Sequence, residues 1–361
     1  MKTQIVITTL LLSLFFVACD DIKSDDGSSD SSYDQLLSDE YDYVILASLE
    51  NLENKLADLK TSSSDFISNY NQTNYDDLVE KYDSAYLAYQ LAAPNTGFFI
   101  NGLDDLFNKF RIDTTTAKTL ISNNSYSFTS SSQENANGFP MLDYLLFSDS
   151  DPLAYFQADS KRGNLLDTLV GYLYTQISSV KTNASNSKNA FLEAGGTDVG
   201  SSVNSQLNKM LDYYEAGIRE NKVGLHIGLE GPNDSRNTDP DTSDIEAQFR
   251  GYADGDQSQA IALLRRAIQG IENIYLGRGL DGTDYQGYDD ILKTLGDKDI
   301  DSDIKAQFVT IYTEIDSKTK LNDYDDRDLY DKVQALVTIF KNDLFQALNV
   351  TENDELGNDG D

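Results

Sequence analysis

The stretch Leu166-Asp167-Thr168-Leu169-Val170-Gly171-Tyr172-Leu173-Tyr174-Thr175-Gln176-Ile177-Ser178-Ser179-Val180 returns an aliphatic side chain at Leu166, Leu169, Leu173, Ile177 and Val180. Steps of three and four put all five on one stripe of an α-helix, whereas a strand would need alternate residues. Working outward, the same rhythm runs through Ile45, Leu49, Leu52, Leu56, Leu59 and through Leu78, Tyr82, Ala85, Tyr89. Beyond it come Val203, Leu207, Met210, Tyr214, Ile218; Ala260, Leu264, Ala267, Ile271, Ile274; Ile304, Phe308, Ile311, Ile315; and Leu329, Val333, Leu336, Phe340, Leu344. No stretch alternates with period two for long enough to build a sheet, so the chain is expected to be all-α.

Pro94, Pro140, Pro152, Pro232 and Pro240 all fall outside these stretches, as they must, because proline breaks a helix interior. Seven one-sided helices bury their stripes best as bundles, and the chain is too long for a single such core. Two packed helical bundles are therefore expected, over 39–190 and 191–349. The division is placed near residue 190, just before Gly195-Gly196-Thr197-Asp198-Val199-Gly200 interrupts the pattern. With 22 tyrosines and no tryptophan, many core positions carry a hydroxyl that needs a partner. Tyr82, Tyr86 and Tyr89 read as core residues rather than a ligand box.

The ends carry a different signal. Met1-Lys2, an apolar run from Ile5 to Val17 and then Ala18-Cys19 have the form of a signal peptide over 1–18, too short to remain as a spanning helix. Cys19, the single cysteine, is expected to be lipidated, and acyl chains would then hold the protein on a membrane. Residues 19–38 read as a flexible acidic tether and 350–361 as an acidic tail. These features predict an outer-membrane lipoprotein, periplasmic or surface-exposed. Loss of Lys2 with the leader makes the mature chain one unit more negative than the −33 of the precursor, which argues against nucleic acid.

The residue inventory narrows the chemistry. His226 is the sole histidine, so sites needing two histidines are excluded, and no G-x-S-x-G elbow accompanies it. Acidic clusters at Asp284 to Asp290, Asp297 to Asp303, Asp323 to Asp328 and Asp354 to Asp361 offer oxygen ligands for hard cations, yet none has the spacing of a calcium loop. They read as solvated surface or, alternatively, as a cation site.

Gly138-Phe139-Pro140-Met141-Leu142-Asp143-Tyr144-Leu145-Leu146-Phe147 resembles a segment of the imelysin-like family of bacterial lipoproteins and periplasmic proteins. The resemblance continues in Asn108 to Asp113, Ile121 to Tyr126, Gly196 to Ser202, Lys222-Val223-Gly224-Leu225-His226-Ile227-Gly228, Ile245-Glu246-Ala247 and Asn358 to Asp361. It implies a double four-helix-bundle fold and a role in iron or haem acquisition, and it brings a peptidase label. In the family branch credited with metal binding the motif is G-x-H-x-x-E; here those positions are Gly138, Pro140 and Asp143, and proline has no ligand atom. Pro140 suits the first turn of a helix, and Asp143 then serves either as a carboxylate near that helix's positive end or as part of a ligand site. The resemblance implies that Asp143, Tyr144, Lys222, His226 and Glu246 converge in a cleft between the bundles, with Gly138 and Pro140 beside them.

Three functions stay open at this point. One is capture of an iron species, haem, another cation or a partner such as an outer-membrane uptake receptor. A second is a metallopeptidase-like hydrolase using Asp143, His226 and Glu246, and a third is an interaction protein with no small ligand.

Overall fold

The computed structural model describes residues 30–95, 107–109, 112–128, 136–229, 246–254, 257–321 and 327–352. The signal peptide, Cys19, Pro232, Pro240 and the cluster Asp354 to Asp361 lie outside them. The described chain is helical, with no strand beyond one isolated bridge between Arg278 and Asp284. Among the described residues no helix is long and apolar enough to cross a membrane.

The first bundle is built from α1 (Asp30–Asp39), α2 (Ala47–Ser68), α3 (Gln72–Ala92), α4 (Thr114–Asn123), α5 (Gly138–Phe147), α6 (Pro152–Ala158) and α7 (Ser160–Glu193). Their starts follow side-chain chemistry: Asn71 accepts from the Asn74 N–H, Asp113 from Thr115 and Thr116, and Asp151 from Ala154 just before Pro152. Each cap satisfies a donor that the first turn leaves open. α2 packs against both α3 and α7, and the Leu166 to Val180 stripe of α7 is fully buried. Each such aliphatic side chain contributes about 1.5–3 kcal/mol of burial.

The second bundle holds α8 (Ser202–Asp212), which runs into a widened π-helical segment at Tyr213–Gly224, then α9 (Gln248–Asp254), α10 (Ser258–Leu276), α11 (Tyr288–Leu295), α12 (Lys298–Ser317) and α13 (Asp328–Ile339). The bundles meet where α10 lies along α3 and α9 lies on α5. Gly270 permits the first approach, since a Cβ there would sit 3.1 Å from the Gln90 carbonyl oxygen. One continuous apolar core runs through both.

Three expectations need adjustment. The acidic tether over 19–38 extends too far, because α1 begins at Asp30 and Leu36 and Leu37 are fully buried; two adjacent leucines gain more from the core than a tether gains from solvent. The start of the expected tail is also tied down: Val350 is buried, and the Thr351 carbonyl accepts from Asn204 and Asn208. Finally, parts of the acidic clusters are not solvated. Asp289 and Asp301 are buried, Lys305 bridges them, and Tyr275 donates to Asp301.

Candidate functional site at the junction of the bundles

Lys222 lies in the last turn of the Tyr213–Gly224 segment, whose widened turns displace its side chains from ordinary helical register. Its ammonium donates to Glu246 Oε1 at 2.6 Å, with Lys222 2% and Glu246 1% exposed. The same oxygen accepts from Asn108 Nδ2 at 2.6 Å and Gln90 Nε2 at 3.3 Å. The Tyr86 hydroxyl, 3.3 Å from it, also donates to Asn108 Oδ1. A buried carboxylate needs such a set, because isolated burial of a charge is prohibitive. Burial pushes the Glu246 carboxyl up, but the Lys222 charge and hydrogen bond together with Asn108 outweigh it and hold the group below the usual range. Gln90 and Asn108 come from the first bundle and Lys222 from the second, so Glu246 is a clasp across the junction.

His226 follows in the short turn Leu225–Ile227 and is 1% exposed. Burial drives its pKa down to about 4, with Glu246 opposing and Lys222 reinforcing the shift. The imidazole is therefore neutral near pH 7.

Asp143 corrects one alternative. It sits in the second turn of α5, which Asn137 caps, and it does not serve the start of its own helix. Its oxygens accept the backbone N–H groups of Phe249 at 2.7 Å and Arg250 at 3.0 Å. Asp143 thus caps the N-terminus of α9 from another helix, the service an N-cap gives locally. Burial raises its pKa to about 7 against the pull of those two N–H groups and of Arg250. Tyr144 packs edge-on against Phe249 at 5.1 Å, and the Arg250 guanidinium covers the Phe147 ring at 4.8 Å. Between Glu246 and α9, Ala247 takes φ +51°, a left-handed conformation that costs a non-glycine residue roughly 1 kcal/mol.

Gly138 and Pro140 are buried in the first turn of α5. Gly138 has φ +71°, and a Cβ there would fall 2.2 Å from the Phe107 carbonyl oxygen, so glycine is required at that crossing. The seven residues expected at the site therefore gather around the 246–250 segment and α5. Sequence reading missed Tyr86, Gln90, Asn108 and Arg250 as members. Asn108 headed one of the family-like segments, and Arg250 followed another, but Tyr86 and Gln90 lie on α3, where a core stripe explains tyrosine equally well.

A metal ion fits this donor set poorly. Pro140 offers no ligand atom, both Asp143 oxygens hold backbone N–H groups, and a lysine occupies Glu246 Oε1. Among the described residues no three His, Cys, Asp or Glu side chains come together to hold a metal.

Residues 45–342 match the family described as imelysin, peptidase M75. No curated protein matches. A solved structure described as an iron-regulated protein A precursor from Parabacteroides distasonis ATCC 8503 is 14% identical, with 90% of this chain and 97% of that chain covered and a TM-score of 0.70. An imelysin-like protein from Psychrobacter arcticum 273-4 is 12% identical, with 93% and 100% covered and a TM-score of 0.67. At such identities the two structures speak for the fold.

Proposed function

Because this chain belongs to the imelysin family, we propose that it is an extracytoplasmic binding protein of iron or haem acquisition, held to a membrane through lipidated Cys19, which engages a ligand or an uptake partner at the junction of its two bundles. The observation that carries this reading is the Glu246 clasp. One buried carboxylate oxygen draws donors from both halves of the molecule, in a segment that family resemblance had marked independently. The description of the Parabacteroides distasonis relative as iron-regulated supports the iron-related part of the proposal.

The hydrolase reading is less well supported. A metallopeptidase needs protein ligands plus an open position for a water, and here the carboxylates at the family positions are already committed to N–H donors. The neutral His226 and the Lys222–Glu246 pair instead suit a larger ligand or protein surface whose polar groups exchange for these internal bonds. Calorimetric titration of the mature chain with haem, ferric and ferrous iron, zinc and calcium tests the proposal. Saturable binding of haem or an iron species is expected. Stoichiometric metal in the purified protein together with chelator-sensitive protease activity would replace this reading with the hydrolase.

A further inference from the structure

α10 turns one face to α3 and the core. Its outward face carries Ala262, Arg265, Arg266, Gln269 and Glu272, and Tyr312 of α12 closes the other side of a groove of about 370 Å³. That volume lies in the range of small-molecule sites. None of the residues that line it belongs to the Glu246 clasp.

Its charges are unevenly matched. The Tyr312 hydroxyl donates to Glu272 Oε2 at 2.7 Å. The Arg265 guanidinium lies 4.6 Å from the centre of the Tyr312 ring, and its Nε is 3.4 Å from Asp316 Oδ1. Arg266 stands apart. It is half-buried, its Nη1 donates at 2.6 Å to the neutral Gln269 Oε1, and among the described residues no carboxylate pairs with it. In a chain with 61 acidic and 28 basic residues, carboxylates outnumber cations about two to one, so a partly desolvated guanidinium left to an amide is unusual. Arg278 acts electrostatically on Tyr312 as well, adding positive potential from the loop beyond α10. A guanidinium presents paired N–H donors that match a carboxylate or phosphate edge.

We propose that this groove binds a small molecule through one carboxylate or phosphate group, which Arg266 and Arg265 grip beside the Tyr312 ring. Glu272, tied to Tyr312, puts one carboxylate of the protein's own in the lining and so disfavours a ligand with a second oxyanion group. The ligand completes the pairing that the described residues leave open at Arg266.

The test follows the arginine Nε–H resonances of the ¹⁵N-arginine-labelled mature chain at low ionic strength while inorganic phosphate or citrate is added separately, with chloride as control. Saturable shifts confined to Arg265 and Arg266 are expected, and the probe that produces them distinguishes a phosphate from a carboxylate ligand. Arg266→Gln should weaken binding about tenfold; Arg266→Lys, which keeps the charge without the fork, should fall between. Lys118→Gln on α4 should leave it unchanged. Equal, unsaturated shifts across all arginines, or unaltered affinity in an Arg266→Gln protein that melts as the wild type does, would overturn the proposal.

Discussion

Replacing Lys222 by methionine tests the clasp most sharply. At 2.6 Å and an effective dielectric of about 20, the gross attraction between the two charges is roughly 6 kcal/mol. Desolvation of both ions offsets most of that, so the pair itself adds little net stability. Removing the lysine alone leaves Glu246 buried with neutral donors, and the expected loss is about 3–5 kcal/mol. Lys222→Met/Glu246→Gln removes both charges at similar volume and should regain about 1–3 kcal/mol of that loss. Urea unfolding followed by circular dichroism measures all three proteins. The acid dependence adds a second reading. Because the folded Glu246 carboxyl lies below its usual range, its contribution is present above the unfolded value of about 4.3 and fades as pH falls through the folded value. In Lys222→Met, burial acts with its main opponent gone, so this acid-side loss should shrink or reverse. A Lys222→Met protein within about 1 kcal/mol of wild type, or single-variant costs that simply add in the double variant, would refute the clasp.

Other expectations follow from the same geometry. Glu40, fully buried beside Tyr288 and Gln206, is raised by burial to about 8; its contribution is therefore fully present below the unfolded value of about 4.3 and is lost as pH rises through 8. Glu40→Gln should thus gain on wild type between pH 5 and pH 9, on the order of 4 kcal/mol, in paired thermal melts. Asp143→Ala removes both acceptors at the start of α9 and should cost about 2 kcal/mol, with faster hydrogen exchange at the Phe249 and Arg250 amides. Gly138→Ala forces a Cβ against the Phe107 carbonyl and should lower stability by about 3 kcal/mol or prevent folding, read from soluble yield and melting temperature. Ala247→Gly should shift stability by less than about 1 kcal/mol, because relief of the strain at φ +51° is offset by glycine's greater freedom in the unfolded chain and by loss of a buried methyl.

Helical periodicity made the fold legible, because stripes such as Leu166 to Val180 depend only on residue spacing and all of their members are buried. The interruption after Glu193 was legible for the same reason, through its glycines. The site was legible only as a set of segments. Lys222, His226 and Glu246 lie close in sequence to family-like pieces, but no pattern tells that Asp143 serves a helix a hundred residues later, since a cap supplied from another element leaves no local signature. Tyr86 and Gln90 were hidden by their helix: a buried stripe on α3 accounts for Tyr82, Tyr86 and Tyr89, and only the fold shows that the Tyr86 hydroxyl turns toward Asn108 and Glu246. The π-helical widening at Tyr213–Gly224, which sets the direction of Lys222, is equally silent in the spacing of Val203 to Ile218.

The junction around Glu246 is where ligand is expected to be taken. Calorimetric titration of haem into the mature wild-type chain and into Glu246→Gln, with folding of the variant checked by its melt, puts that directly. The expected result is saturable binding to the wild type and at least about tenfold weaker binding to the variant, the size of one lost charge-assisted contact. Binding of equal strength in both proteins, or none to either, would contradict it.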